Sequence, residues 1–409
     1  MSWGPSTRSR LVSSTSSMER QHLKVKQFTT LIAAGIVIAA AGVLSNAAGQ
    51  PTQAEVEARV VFAPIPATGC DGTHYVAYEL HLSNFYRSTG TLRLESVEVR
   101  SGSTALVRYD ASDLETRVAR FWADPRRGRT IESGRSAVVH IWVTLPRETP
   151  VPGELQHRLV FTTEKGIEQI VDGVITPIRP AADLRIGPPL IGSDWFIHNG
   201  PADYQAAHWG SMLALNGRLT VPQRFAIDFI GLAADGRAVR GDVRKSTNAD
   251  WHGFGATVVA VADGVVRNVR DGVPDHPPLV PVPPPPDTSA ASVYGNFVVL
   301  EIGPGTFAHY AHLQERSVSV RLDQRVKRGD VLGRLGNSGN TNAPHLHFNV
   351  TDAVGPELSE GLPFAFDRFE RLGETTVDRA LAGEGSDQKP FSPTACTGLP
   401  LGGTVVRFR

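Results

Sequence analysis

Cysteine is almost missing from this chain: Cys70 and Cys396 are the two it has among 409 residues. One pair allows a single disulfide at most, the alternative being two separate thiols. Net charge is missing as well. Lys and Arg together number 41, and so do Asp and Glu, which removes any global electrostatic case for binding nucleic acid or an anionic membrane. Long apolar runs are confined to one place near the start, so no second segment of the sequence reads as a bilayer span.

Glycine (40) and proline (29) are plentiful, and Val-rich alternating runs recur. Together they favour an all-β, or at least β-dominated, fold. The length suffices for two domains, each with its own core. Residues 1–50 read as a signal peptide or N-terminal anchor. Lys24 and Lys26 precede an apolar run over 28–44, and Ser45, Ala47 and Ala48 follow at a suitable cleavage point. An uncleaved membrane anchor is the other reading, although 17 residues is slightly short for one. Either way the expectation is export, to the periplasm, the exterior or the cell wall. Export permits a Cys70–Cys396 bridge.

Residues 55–180 carry six candidate strands, over 59–63, 75–82, 91–99, 137–145, 155–163 and 167–175. Their period-two alternation and the turns between them suit an antiparallel β-sandwich. His74, His81, His140 and His157 are scattered singly, and such histidines are structural or exposed by default. This half reads as a packing, substrate-positioning or docking module. Residues 181–205, rich in Pro and Gly, read as a linker. A second domain is expected over 206–370 and a motif-free C-terminal tail over 371–409.

In that second domain, 219–230 (LTVPQRFAIDFI) reads as one strand with Arg224, Ala226 and Asp228 on one face. A carboxylate between Ile227 and Phe229 is costly to bury unless paired or metal-bound. Asp228 is thus a candidate ligand, and Arg224 its candidate salt-bridge partner. A strand over 257–266 breaks at Asp263 and Gly264 and leads to an insertion containing Pro277, Pro278 and four prolines over 283–286, an extended surface loop. A hairpin follows, with arms over 296–302 and 306–313. Tyr310 and His312 share one face of the second arm, and His309 takes the other.

The densest chemistry lies over 336–349, GNSGNTNAPHLHFN. His345 and His347 are two apart, so on a strand both imidazoles project together while Leu346 and Phe348 face the core. Two convergent imidazoles suit a metal or acid–base chemistry. The bland reading is a surface strand that alternates His with Leu.

Taken together, AIDF (226–229), VVAVADGVV (258–266), YGNFVVLEI (294–302), HYAHL (309–313) and VKRGDVLGRLGNSGNTNAPHLHF (326–348) resemble the lysostaphin-type M23 zinc endopeptidases, which cut peptide cross-bridges of peptidoglycan. The resemblance covers about 223–350. It implies a duplicated-hybrid-motif β domain, zinc as cofactor, and peptidoglycan peptides as substrate. Residue by residue, it makes Asp228 and His347 zinc ligands, His345 the general base and His312 a second catalytic imidazole.

The family places a histidine four residues before the ligand Asp, and this chain has Arg224 there. A guanidinium stays protonated and does not coordinate zinc. In the first of three readings, His208 supplies the third ligand, with His252 as runner-up, and Arg224 braces Asp228 or contacts a substrate carboxylate. In the second, the site is degenerate and the protein binds the wall or activates an amidase. In the third, the VADGVV and VKRGDVLG motifs belong to a biotinyl, lipoyl or phosphoryl carrier, but no Lys stands at the hairpin tip and export argues against cytoplasmic partners.

Overall fold

The computed structural model describes residues 52–408, apart from 122, 124–125, 182, 205–207 and 383–392. The signal or anchor expected over 1–50 therefore lies outside the described residues.

Each of the six N-terminal strands expected from alternation forms, within a few residues of its expected ends. Two sheets result. His74–Asn84 pairs antiparallel with Arg135–Leu145 at the centre of one. Leu92–Ser101 and Glu154–Thr163 are the long pair of the other. One apolar cluster serves both sheets: Val76, Tyr78, Leu80 and Leu82 from the first, Leu94, Val97, Leu159 and Phe161 from the second. The intervening positions Ala77 and Glu79 point away from that core and are buried nonetheless, because the second domain covers them.

The C-terminal half is built on a large mixed sheet. Its central order is Thr404–Phe408, Gly192–His198, Ile227–Leu232, Leu346–Thr351, Thr306–Ala311, Phe297–Gly303 and Gly264–Arg270. Trp195, Phe229, Phe348, Phe366 and Phe408 fill the core beneath it. Three expectations change here. The stretch read as a linker, 181–205, contributes Gly192–His198, an interior strand with Trp195 wholly buried. The tail read over 371–409 contributes Thr394–Gly398 and Thr404–Phe408, the latter the other neighbour of that strand. Alternation inside short runs such as TVVRF was signal too weak to separate from loop. The single strand expected over 219–230 is broken into Arg218–Thr220 and Ile227–Leu232, since Pro222 cannot donate to a ladder.

A disulfide joins Cys70, in the first domain, to Cys396 on Thr394–Gly398, across a separation of 326 residues. Near the HxH strand, Gly295 (φ 67°) meets the 338–339 turn so closely that a Cβ there would lie 2.4 Å from the Ser338 carbonyl carbon. Only glycine fits that contact, which fixes the loop preceding His345.

Candidate metal centre

One transverse row of the sheet carries most of the site. His198, Asp228, His347 and Ala311 are successive register partners across four neighbouring strands, and His312 follows Ala311. The HxH alternation behaves as the sequence implies: Leu346 and Phe348 are buried in the core while His345 and His347 line a groove.

Asp228 is the hub. Its Oδ1 lies 3.1 Å from His347 Nδ1, 3.3 Å from His208 Nε2 and 3.3 Å from His345 Nε2. Its Oδ2 accepts a hydrogen bond from Asn199 Nδ2 at 2.9 Å. Burial alone would raise the Asp228 carboxyl pKa, but His208 and His345 outweigh it and hold the group well below the carboxylate range.

Hydrogen bonds to backbone carbonyls fix which nitrogens face inward. His208 Nδ1 donates to the Asn199 carbonyl at 2.8 Å, leaving the Nε2 lone pair directed at Asp228. His345 Nδ1 donates to the Ala343 carbonyl at 2.8 Å, with the same result. A nitrogen facing a carboxylate oxygen at this range is held either by its own proton or by a metal ion between the two. The ligand atoms of His208, Asp228 and His347 lie within 4.8 Å of one another. A tetrahedral site with bonds of about 2.0–2.1 Å has ligand–ligand edges of about 3.3 Å, close to the Asp228 separations above. One carboxylate and two imidazoles are a donor set that zinc takes, so the residues present fit the metal.

Of the two candidates for the third ligand, His208 stands beside Asp228. His252 stands elsewhere, its charged neighbours being Arg240 and Asp235. Arg224 does not brace Asp228, contrary to expectation. It lies in the turn before the strand, and its guanidinium is turned to Glu79 and Glu360, at 2.7 and 2.9 Å. His312 sits with φ at 61°, donates from Nδ1 to the Ser338 carbonyl at 2.8 Å, and packs its ring 4.8 Å from that of His345. Burial, then the neighbouring imidazoles of His345 and His347, push its pKa well down. In His345 burial acts the same way, but Asp228 overcomes it and raises the pKa.

Several other expectations resolve simply. His309 turns away and bonds Thr351 at 2.7 Å. Tyr310 packs in the core, its hydroxyl accepting from the Val261 amide. Asn340 and Asn342 line the groove, a cavity of about 510 Å³, as do Leu213 and the Pro-rich insertion through Val282 and Pro285. His198 belongs to a strand, one register step from Asp228. Asn199 was missed altogether. It takes a φ of 48°, and nothing in composition or spacing marks it.

Residues 246–356 match Peptidase family M23. Among curated proteins, the cell division protein DipM of Caulobacter vibrioides is 31% identical over 96 residues, which are 24% of this chain and 12% of DipM. The peptidoglycan DD-endopeptidase ShyA of Vibrio cholerae is 38% identical over 56 residues, 14% of this chain and 13% of ShyA. The chain thus spans a small fraction of the length of either relative. Among solved structures, an M23 peptidase from Pseudomonas aeruginosa aligns at 14% identity and a TM-score of 0.26, over 76% of this chain and 93% of that one. The lysostaphin catalytic domain of Staphylococcus simulans aligns at 17% identity and 0.22, over 42% and 88%. Overlaps this slight have no bearing on function. The family match, with the quoted motifs, marks residues 246–356 as a region similar to peptidase family M23.

Proposed function

We propose that the protein is an exported zinc metalloendopeptidase that hydrolyses amide bonds in peptidoglycan peptides or cross-bridges. One observation carries this reading: His208, Asp228 and His347 converge, with His345 and His312 beside them, at the floor of an open groove. Among the relatives, ShyA is named a peptidoglycan DD-endopeptidase, which supports the reading.

Zinc bound by the three residues would supply an electrophile and lower the pKa of a water to about 7. The remaining work falls to the chain. His345 and His312 each spend the Nδ1 proton on a backbone carbonyl, so each offers Nε2 as an acceptor. Both acceptors line the groove, where they would orient an attacking water by its protons. His345 Nε2, close to the Asp228 charge, takes the proton as the amide is attacked and returns it to the leaving nitrogen. Asn340 and Asn342 line the groove, and their side-chain amides would hydrogen-bond an extended peptide backbone there.

The alternative of a degenerate wall-binding or amidase-activating protein draws less support, because a decayed site has no physical reason to keep tautomer-fixing bonds on two imidazoles. The test is digestion of purified cross-linked muropeptides, followed by mass spectrometry. New amine termini, abolished by chelation and by His345→Ala in a folded variant, are expected. Intact muropeptides bound by the protein would overturn the reading.

A further inference from the structure

The three ligands are not mounted alike. Asp228 and His347 sit on interior strands of the sheet, but His208 rides on a segment between strands Gly192–His198 and Leu213–Leu215. Two of its residues, Tyr204 and Trp209, are held by the first domain. At Tyr204, the backbone carbonyl accepts from Arg127 at 2.9 Å, the hydroxyl bonds Thr116 at 3.2 Å, and the Arg117 guanidinium lies 4.1 Å over the ring. At Trp209, next to His208, the ring packs edge-on against His140 and Trp142, at 5.4 and 5.8 Å. Its Nε1 donates to Glu79 Oε1 at 2.6 Å.

Glu79 has a second attachment. Both its oxygens accept from Arg224, four residues before Asp228, at 3.0 and 2.7 Å. Glu79, Trp209 and Arg224 are each at most 4% exposed. A single carboxylate of the first domain therefore touches the neighbour of one ligand and the turn that delivers another.

We propose that Glu79 is a positioning residue of the metal centre, setting His208 through Trp209 and the approach of Asp228 through Arg224. This rests on the metal-centre reading above. As mere glue between domains the cluster would be poor, since buried ion pairs seldom add net stability over apolar packing. As a device of fixed geometry it is well suited: charge-assisted bonds are short, directional and costly to misalign when buried. It also gives Arg224 a use at the position where the resemblance places a ligand, that of fixing both oxygens of Glu79.

The test is Co²⁺ binding to the purified full-length chain, read as affinity by chelator competition and as the visible d–d spectrum. Glu79→Gln and Trp209→Phe are each expected to weaken binding about 10–100-fold and to alter the band shape. A Cys70→Ser/Cys396→Ser chain, which loosens the same domain junction elsewhere, is expected to keep wild-type affinity and spectrum while melting lower. Trp209→Phe keeps the Arg224 pair, so it decides the matter if Glu79→Gln fails to fold. Wild-type binding in both variants would overturn the role of Glu79, and so would an equal loss in the disulfide-free chain. A wild-type chain that takes up no Co²⁺ would overturn the metal centre itself and this role with it.

Discussion

Arg224 donates from Nε and Nη2 to the two carboxylate oxygens of Glu79, a residue 145 positions earlier and in the other domain. Removing the cation strands a buried anion. Arg224→Met should therefore cost about 3–5 kcal/mol of unfolding free energy, read by urea denaturation. Glu360→Gln should cost under about 1 kcal/mol, a surface-like effect despite its burial. Burial, and the nearby charge of Glu79, raise the Glu360 carboxyl pKa although Arg224 pulls against them, so folding disfavours its charged form. Equal losses in the two variants would contradict this ranking.

Glu79 behaves oppositely, and the sign sets a pH dependence. Burial alone would raise its pKa, but Arg224 outweighs burial and holds it below the ordinary 4.5. Its contribution to stability is thus complete above about pH 4.5 and is lost as pH falls through the lower folded value. Asp228 acts in the same direction in metal-free protein. Melting temperature followed from pH 7 to pH 3 should fall more gently in Glu79→Gln than in the wild type, with the difference concentrated below pH 4.5. Parallel curves would count against the assigned pair.

His345 and His312 are expected to be separable from metal binding. His345→Ala should lower kcat about 10²–10⁴-fold while metal content is unchanged, as should His312→Ala to a similar or smaller degree. Loss of the metal along with activity in His345→Ala would make that residue a ligand instead of a proton acceptor.

Reduction of the Cys70–Cys396 bridge should destabilise the protein by about 2–5 kcal/mol, since it closes a very long loop of the unfolded chain. Calorimetry with and without reductant reads this directly. An unchanged melting temperature would mean that the domain junction is held by its buried contacts alone.

Local pattern made part of this site readable. The HxH pair and Asp228 showed through because a strand period of two sorts histidine and carboxylate onto one face. The N-terminal strands showed through their alternation. His208 was legible only as a histidine upstream of Asp228, because the hairpin Leu213–Leu215 and Arg218–Thr220 separates it from its partner. Glu79 and Asn199 were not legible at all. One acts across 145 positions and the other through a backbone carbonyl and a left-handed φ, neither of which leaves a trace in composition or spacing. The strands at 192–198 and 404–408 were lost among prolines and glycines for a related reason: a short interior strand is identified by its neighbours in space.

Elemental analysis of the purified chain, by inductively coupled plasma mass spectrometry, bears most directly on the convergence of His208, Asp228 and His347. The expected result is about one zinc per chain in the wild type and a marked loss in His208→Ala and in His347→Ala. A wild-type chain without stoichiometric metal, or a His208→Ala chain that retains the full complement, would contradict it.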